Sequence, residues 1–336
     1  MTRTTARFPW PGLNALFVAG AIVGLARIAI AQDAAKRSPL SAFVDGGRVE
    51  FRCGDKVVLR YRATKDSRKQ YVEELRTPAG LSLLDNAPPD HPWHHGMMFA
   101  LIVDGVNFWE EPTPNSPSSA QLGRQQLASK PVARGADAKL PFASVTHDVV
   151  WQVDGGSPKL AEHRIVAMAS HPQNADLLLT WHSQLAVARE AKTVDLSGTH
   201  YHGVGLRFSP EFTGRVTVVL PDAIDLSRVR HLVRGSEVLY GTAWCGYHAR
   251  LPKGSLTVAM FAAPHESNHP TLWFTMDSPF TFLSATLGLD KQPLRLAASE
   301  QLTITYGLAA WDRQVHREQI ERTYDEWRIQ LNQLLH

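Results

Sequence analysis

The 336 residues are 44% hydrophobic and 20% charged, a composition with ample apolar material for a folded core, which excludes disordered, collagen-like and coiled-coil chains. The formal charge of +3 belongs to residues 1–31, which hold Arg3, Arg7 and Arg27 and no acidic side chain; the remainder carries 32 basic and 32 acidic residues. Without a basic excess the chain has no electrostatic footprint for nucleic acid or an anionic membrane surface.

The first segment reads as a leader. Arg3 and Arg7 form an n-region, Ala15 to Ala26 an apolar h-region, and Ala29-Ile30-Ala31 a small-x-small cleavage pattern before Gln32. The apolar run ends at Arg27 after about a dozen residues, against about 20 for a bilayer span. The expectation is therefore an exported protein, periplasmic or secreted, with no membrane contact after cleavage. Residues 1–31 are then signal peptide, 32–44 a tail, and 45–336 one domain without an internal linker. Cys53 and Cys245 are the only cysteines; their spacing leaves open whether they pair.

Short alternating runs follow. Val49, Phe51 and Cys53, then Val57, Leu59 and Tyr61, flank Gly54-Asp55 and predict a hairpin with one buried face. Similar runs recur at Ser144 to Val153, Leu160 to Ala169, Leu177 to Val187, Val204 to Phe208, Val216 to Leu220 and Val238 to Ala243. They continue at Leu256 to Phe261, Thr271 to Met276, Phe280 to Leu287 and Leu302 to Leu308. With almost no helical periodicity between them, a parallel βαβ fold is excluded and a large antiparallel β-sandwich is predicted, an all-β class. One helix closes the chain over residues 313–335: after Asp312 as N-cap, Ile320, Tyr324, Trp327, Leu331 and Leu334 form an apolar stripe.

All 15 histidines lie beyond residue 31, and imidazole is the side chain that most readily moves protons or binds metal near neutral pH. Pro-rich stretches at 86–92 and 111–119 bracket Asp90-His91-Pro92-Trp93-His94-His95-Gly96 and Trp109-Glu110-Glu111, and long loops are where sites are commonly built. On a strand His94 and His95 would point to opposite faces; in a loop both could converge. Glu110, beside Trp109, is the better placed of the paired carboxylates, because an aromatic neighbour can partly desolvate a carboxyl. His200 and His202, two apart at a strand entrance, would share one face, a geometry that suits a metal or a cluster of sugar hydroxyls, with Arg207 further along.

His265-Glu266-Ser267-Asn268-His269 matches HExxH letter for letter. The zinc chemistry needs a helix, and Pro264 and Pro270 on either side oppose one, so Asn268 and His269 are kept as loop candidates instead. Trp93, Trp109, Trp244 and Trp273 lie close in sequence to these polar residues. Aromatic rings beside carboxylates and imidazoles suit a carbohydrate site, where sugar C–H faces stack and hydroxyls take polar partners.

The string from Asp90 to Glu111 (DHPWHHGMMFALIVDGVNFWEE) resembles the signature of a bacterial PmoA-like family carrying the label "methane oxygenase PmoA" and treated as a domain of unknown function. Supporting matches are YVEELRTPAG (Tyr71 to Gly80), HGVGLRF (His202 to Phe208), AWCGY (Ala243 to Tyr247), Val258 to Trp273 and Pro279 to Tyr306. The resemblance implies a secreted or periplasmic sandwich of the mutarotase-like supersandwich kind that works on carbohydrates, keto-glycosides among them. Its oxygenase label implies a subunit of a membrane copper enzyme, a physical type this chain does not share. Where the family has a basic residue after the second histidine this chain has His95, and of its DHPxNPRHP-like stretch only the match at His269 survives.

Together these readings give an exported carbohydrate-active enzyme. His94, His95 and Glu110 are the expected catalytic acid–base groups, and Trp109, His202, Arg207, Tyr247, Asn268 and His269 the expected substrate-binding residues. Two alternatives accompany it. One is a metal-dependent enzyme in which His94, His95, His200 and His202 share a divalent ion; the other is a noncatalytic glycan-binding module. The expected partner is a carbohydrate or other small molecule.

Overall fold

A computed structural model describes residues 40–113, 121–222, 224–264 and 271–335. The leader, and with it the expected cleavage site, lies outside the described residues, as do Asn268 and His269.

Two large antiparallel sheets dominate. The ten-stranded sheet runs, from edge to edge, through Leu40–Asp45, Arg48–Cys53, Lys56–Arg62, Tyr71–Leu75, Met97–Ala100, Gly203–Arg207, Phe282–Thr286, Leu272–Met276, Glu237–Tyr240 and Arg230–Arg234. The nine-stranded sheet is centred on the long strands Phe142–Val153, Pro158–Ala169, Leu177–Val187 and Gln301–Trp311, and the strands Gly254–Ala262 and Trp244–Leu251 extend it. The predicted hairpin is present, with Arg48–Cys53 paired to Lys56–Arg62 across the Gly54-Asp55 turn.

The inward faces of the two sheets pack into one apolar core, which establishes the β-sandwich. At its centre lies a polar knot. The Arg164 guanidinium, fully buried, pairs with Glu162 at 2.7 Å and donates to Gln70 O, Gln125 Oε1 and Tyr61 Oη. Trp151 Nε1 and Ser183 Oγ supply further donors to Glu162. A charge pair in such a place is tolerated because nearly every donor and acceptor has a partner.

The C-terminal helix is Arg317–Leu335, four residues shorter at its start than the stripe suggested. Asp312 is not its N-cap: the Asp312 carboxylate accepts the Ala79 N–H and its own N–H is held by Asp176. The helix lies on the outer face of the nine-stranded sheet, burying Ile320, Trp327 and Leu331, with Trp327 Nε1 donating to Thr180 Oγ1 at 2.9 Å. No disulfide joins Cys53, at the surface, to Cys245, in the core. Among the described residues no helix is long and apolar enough to cross a membrane.

Candidate functional site

The site grows from residues 85–96. Proline at 88, 89 and 92 keeps this stretch out of any sheet, and backbone hydrogen bonds stitch it into a tight loop: His91 N–H to Pro88 O, His94 N–H to His91 O, Ala87 N–H to His94 O. Gly96 closes it. Its φ is +34°, and a Cβ there would lie 2.2 Å from Val72 O, so only glycine carries the chain from the loop into the strand Met97–Ala100. The Gly96 carbonyl then accepts the Arg207 N–H, docking the loop on the strand Gly203–Arg207.

This arrangement sends the adjacent histidines apart. His94 turns toward a cavity of about 320 Å³, lined also by His91, Trp93, Trp109, Glu110, Tyr201, Arg234, Glu237, Phe274, Met276, Pro279, Phe280 and Phe282. That volume falls in the range of small-molecule sites, about 300–1,000 Å³. A more capacious groove of about 750 Å³ lies elsewhere, along residues 44–48, 62–66 and 130–131; it contains neither histidine nor aromatic side chain.

The cavity wall is aromatic and interlocked. Trp109 stacks on His202 at 4.8 Å between ring centres and meets Tyr201 edge-on at 5.4 Å. His94 stacks on His91 at 4.9 Å and on Phe282 at 5.7 Å. The indole Nε1 of Trp109 donates to His94 Nε2 at 3.3 Å, which leaves the imidazole proton on Nδ1. That Nδ1 is buried and has no partner among the described residues. Burial, with the charges of His91, Arg207 and Lys69, lowers the His94 pKa to about 2. The ring is therefore neutral at ordinary pH, a hydrogen-bond donor rather than a proton carrier.

Two carboxylates reach the cavity. Glu110 is positioned by Asn107, whose Oδ1 accepts the N–H groups of Trp109 and Glu110 at 2.8 and 3.2 Å. Glu237 comes from the opposite side, holding Arg234 Nε at 3.0 Å and His200 Nε2 at 3.2 Å. Asp90 sits at the loop tip. Burial alone would raise its pKa, but hydrogen bonds from Arg207 and His91 prevail and hold it at about 2. Arg207 Nη2 reaches both Asp90 oxygens, at 3.0 and 2.8 Å, while its guanidinium lies 3.4 Å from the Phe280 ring centre.

Behind the wall lies a second polar cluster. His95 stacks flat on Tyr71 at 4.2 Å, with Nε2 on Glu111 and Nδ1 on Asn86, both at 3.0 Å. Lys69, 1% exposed, pairs with the same Glu111 oxygen at 2.9 Å and donates to Trp109 O at 2.6 Å. The backbone carrying Trp109 and Glu110 is thus clamped from the rear.

Of the residues the sequence singled out, His94, Trp109 and Glu110 line the cavity, His202 supports it through Trp109, and Arg207 supports it through Asp90 and Phe280. His95 belongs to the rear cluster. Tyr247 is away from the cavity, buried between the sheets with its hydroxyl donating to Phe282 O at 3.0 Å. The histidine pair at 200 and 202 does not share a strand face, because the strand begins at Gly203 and residues 199–202 form a turn. Among the described residues no three His, Cys, Asp or Glu side chains are grouped as a metal ion needs. The four histidines expected to share an ion are split between the cavity, the Trp109 face, Glu237 and the rear cluster.

The profile of a family of unknown function, DUF6807, matches residues 48–325. The chain belongs to this family. That match corrects the resemblance to the PmoA-like family, which has no match here: the histidine-rich string Asp90 to Glu111 lies within the DUF6807 span. No curated protein matches the chain. Among solved structures, the galactosidase domain of an alpha-galactosidase-sucrose kinase aligns with 9% identity over 81% of this chain and 42% of its own, at a TM-score of 0.48. A GH36 alpha-galactosidase from Geobacillus stearothermophilus aligns with 9% identity over 82% of this chain and 41% of its own, at 0.48. The Slr1438 protein from Synechocystis sp. PCC 6803 aligns with 10% identity over 83% of this chain and 97% of its own, at 0.44. The chain spans about two fifths of the galactosidase structures. Likeness at this level carries neither an activity nor a substrate across.

The expected set lacked several residues of the site, among them Glu237, Tyr201, Asp90 and the rings of Phe274, Phe280 and Phe282. Glu237 follows the Arg234-Gly235-Ser236 turn of a surface hairpin, and only the sheet order brings it to the cavity. Tyr201 lies between two histidines that drew the attention instead. Asp90, with His91, was within the motif, but its partner Arg207 is 117 positions away.

Proposed function

We propose that this DUF6807 member is an exported carbohydrate-active enzyme that cleaves glycosidic bonds, those of keto-glycosides included, in the cavity between residues 91–94 and the Glu237 hairpin. One observation carries the reading: six aromatic rings, Trp93, Trp109, Tyr201, Phe274, Phe280 and Phe282, wall a 320 Å³ cavity into which the carboxylates Glu110 and Glu237 also reach. Rings bury the C–H faces of a sugar, and the few polar groups between them fix its hydroxyls. Among the described lining residues the one Lys or Arg side chain, Arg234, is already matched by Glu237, which favours a neutral sugar over an anionic ligand.

Glu110 is the proton-transferring carboxyl. His94, held neutral with its Nδ1 buried, backs the cavity wall beneath His91, a positioning role. The leader at residues 1–31 supports export. Turnover of a panel of ordinary and keto-glycosides tests the proposal. Glu110→Gln is expected to lower turnover by about 10²–10⁴-fold, the usual worth of a general acid or base, with sugar binding retained. Binding without any turnover makes the protein a glycan-binding module; a folded protein that binds no sugar refutes the proposal.

A further inference from the structure

We propose that His91, oriented by Asp90 and Arg207, is the catalytic base of the cavity. The inference rests on the carbohydrate reading above and assigns its second proton-transfer group. His91 lines the cavity and is 36% exposed, whereas His94 is locked neutral behind it and His95 faces away. Its Nδ1 lies 2.9 Å from Asp90 Oδ2.

Asp90 is held as a carboxylate by two contacts from Arg207, and a carboxylate can only accept. The hydrogen therefore sits on His91 Nδ1, and Nε2 across the ring keeps its lone pair. Among the described residues nothing hydrogen-bonds to Nε2. A carboxylate that fixes the tautomer and aims the ring is the arrangement by which a histidine serves as general base. Arg207 is in turn fixed by the Phe280 ring beneath it. Asp90 and Arg207 are positioning residues, since neither reacts.

In hydrolysis, Nε2 of His91 takes a proton from the water that attacks the anomeric carbon. The new carbon–oxygen bond forms as the bond to the leaving group breaks. The leaving oxygen takes its proton from the Glu110 carboxyl, and the proton on His91 returns to Glu110 through solvent. No oxidant, reductant or further reactant is needed.

Two measurements on the full mature chain test this. In ¹⁵N-resolved histidine spectra at pH 8.5, where free imidazole is neutral, His91 of the wild type is expected as the Nδ1–H tautomer, and Asp90→Ala is expected to release it toward Nε2–H. On whichever glycoside of the panel the wild type cleaves, His91→Gln is expected to lower kcat by about 10²–10⁴-fold with KM within a few-fold, and Asp90→Ala to lower kcat at least about 10-fold. A wild-type proton on Nε2, or His91→Gln retaining most of the kcat, overturns the assignment and leaves the carbohydrate reading standing. A wild type that neither binds nor cleaves any sugar removes the carbohydrate reading and, with it, the catalytic role of His91.

Discussion

Replacing Lys69 with methionine probes how the cavity wall is held in place. The ammonium is buried, paired with Glu111 at 2.9 Å and donating to Trp109 O at 2.6 Å. Burial pushes the Lys69 pKa down against the pull of Glu111. For Glu111, burial acts upward, yet the hydrogen bond from His95 and the charge of Lys69 carry its pKa from 4.5 to about 2. A shift of that size corresponds to about 3 kcal/mol in favour of the folded state, part of which the desolvation of Lys69 cancels. Removing one partner of a buried pair costs about 3–5 kcal/mol; because Glu111 keeps His95, Lys69→Met is expected to cost about 2–3 kcal/mol. Urea unfolding at pH 7, followed by tryptophan fluorescence, reads this as a lower midpoint at unchanged slope. The sign with pH follows from Glu111. Its depressed pKa stabilises the fold above the unfolded value of 4.5, and this contribution is lost as pH falls through about 2. Without Lys69 the Glu111 pKa rises, so the gap between wild type and variant should close between those limits. A loss below about 1 kcal/mol, or a gap that does not change over that window, refutes the clamp.

Two further outcomes follow from the same contacts. Burial lowers the pKa of His94 to about 2, of His147 and His202 to about 3 and of His182 to about 4, from an ordinary 6.5. The unfolded chain thus binds more protons than the folded one below pH 6.5, so these buried imidazoles lower stability as pH falls; an unfolding midpoint flat from pH 7 to pH 5 contradicts this. Gly96→Ala places a Cβ 2.2 Å from Val72 O at a φ of +34° and is expected to cost about 2–4 kcal/mol. A thermal midpoint equal to that of the wild type shows instead that the loop relaxes without strain.

The long strands were legible as extended runs of apolar and β-branched residues between turn residues: Leu177–Val187 has the bounds its sequence suggested although it is buried over most of its length. The strand Trp244–Leu251 was not: Cys245, Tyr247, Ala249 and Leu251 face the core, but Trp244 and Gly246 on the other face break the apolar–polar pattern before His248 and Arg250. Met97–Ala100 is buried throughout, so no polar face marks it. At the site, sequence placed the weight on residues 90–111, which supply His91, Trp93, His94, Trp109 and Glu110 to the cavity wall, but could not tell adjacent histidines apart. Their division follows from the loop that Gly96 closes and from contacts to Arg207, Lys69 and Phe282, each distant along the chain. The helix stripe was visible, whereas its first turn was not, because Asp312 is committed to Ala79 and Asp176.

The central claim is that the aromatic cavity receives a neutral sugar. Titrating the protein with methyl glycosides and disaccharides while following histidine and indole resonances tests it most directly. The structure predicts that a binding sugar shifts His91, His94, Trp93 and Trp109 together and leaves the groove at residues 44–48 unchanged. A sugar that binds while those four resonances stay still places the site elsewhere and contradicts the account.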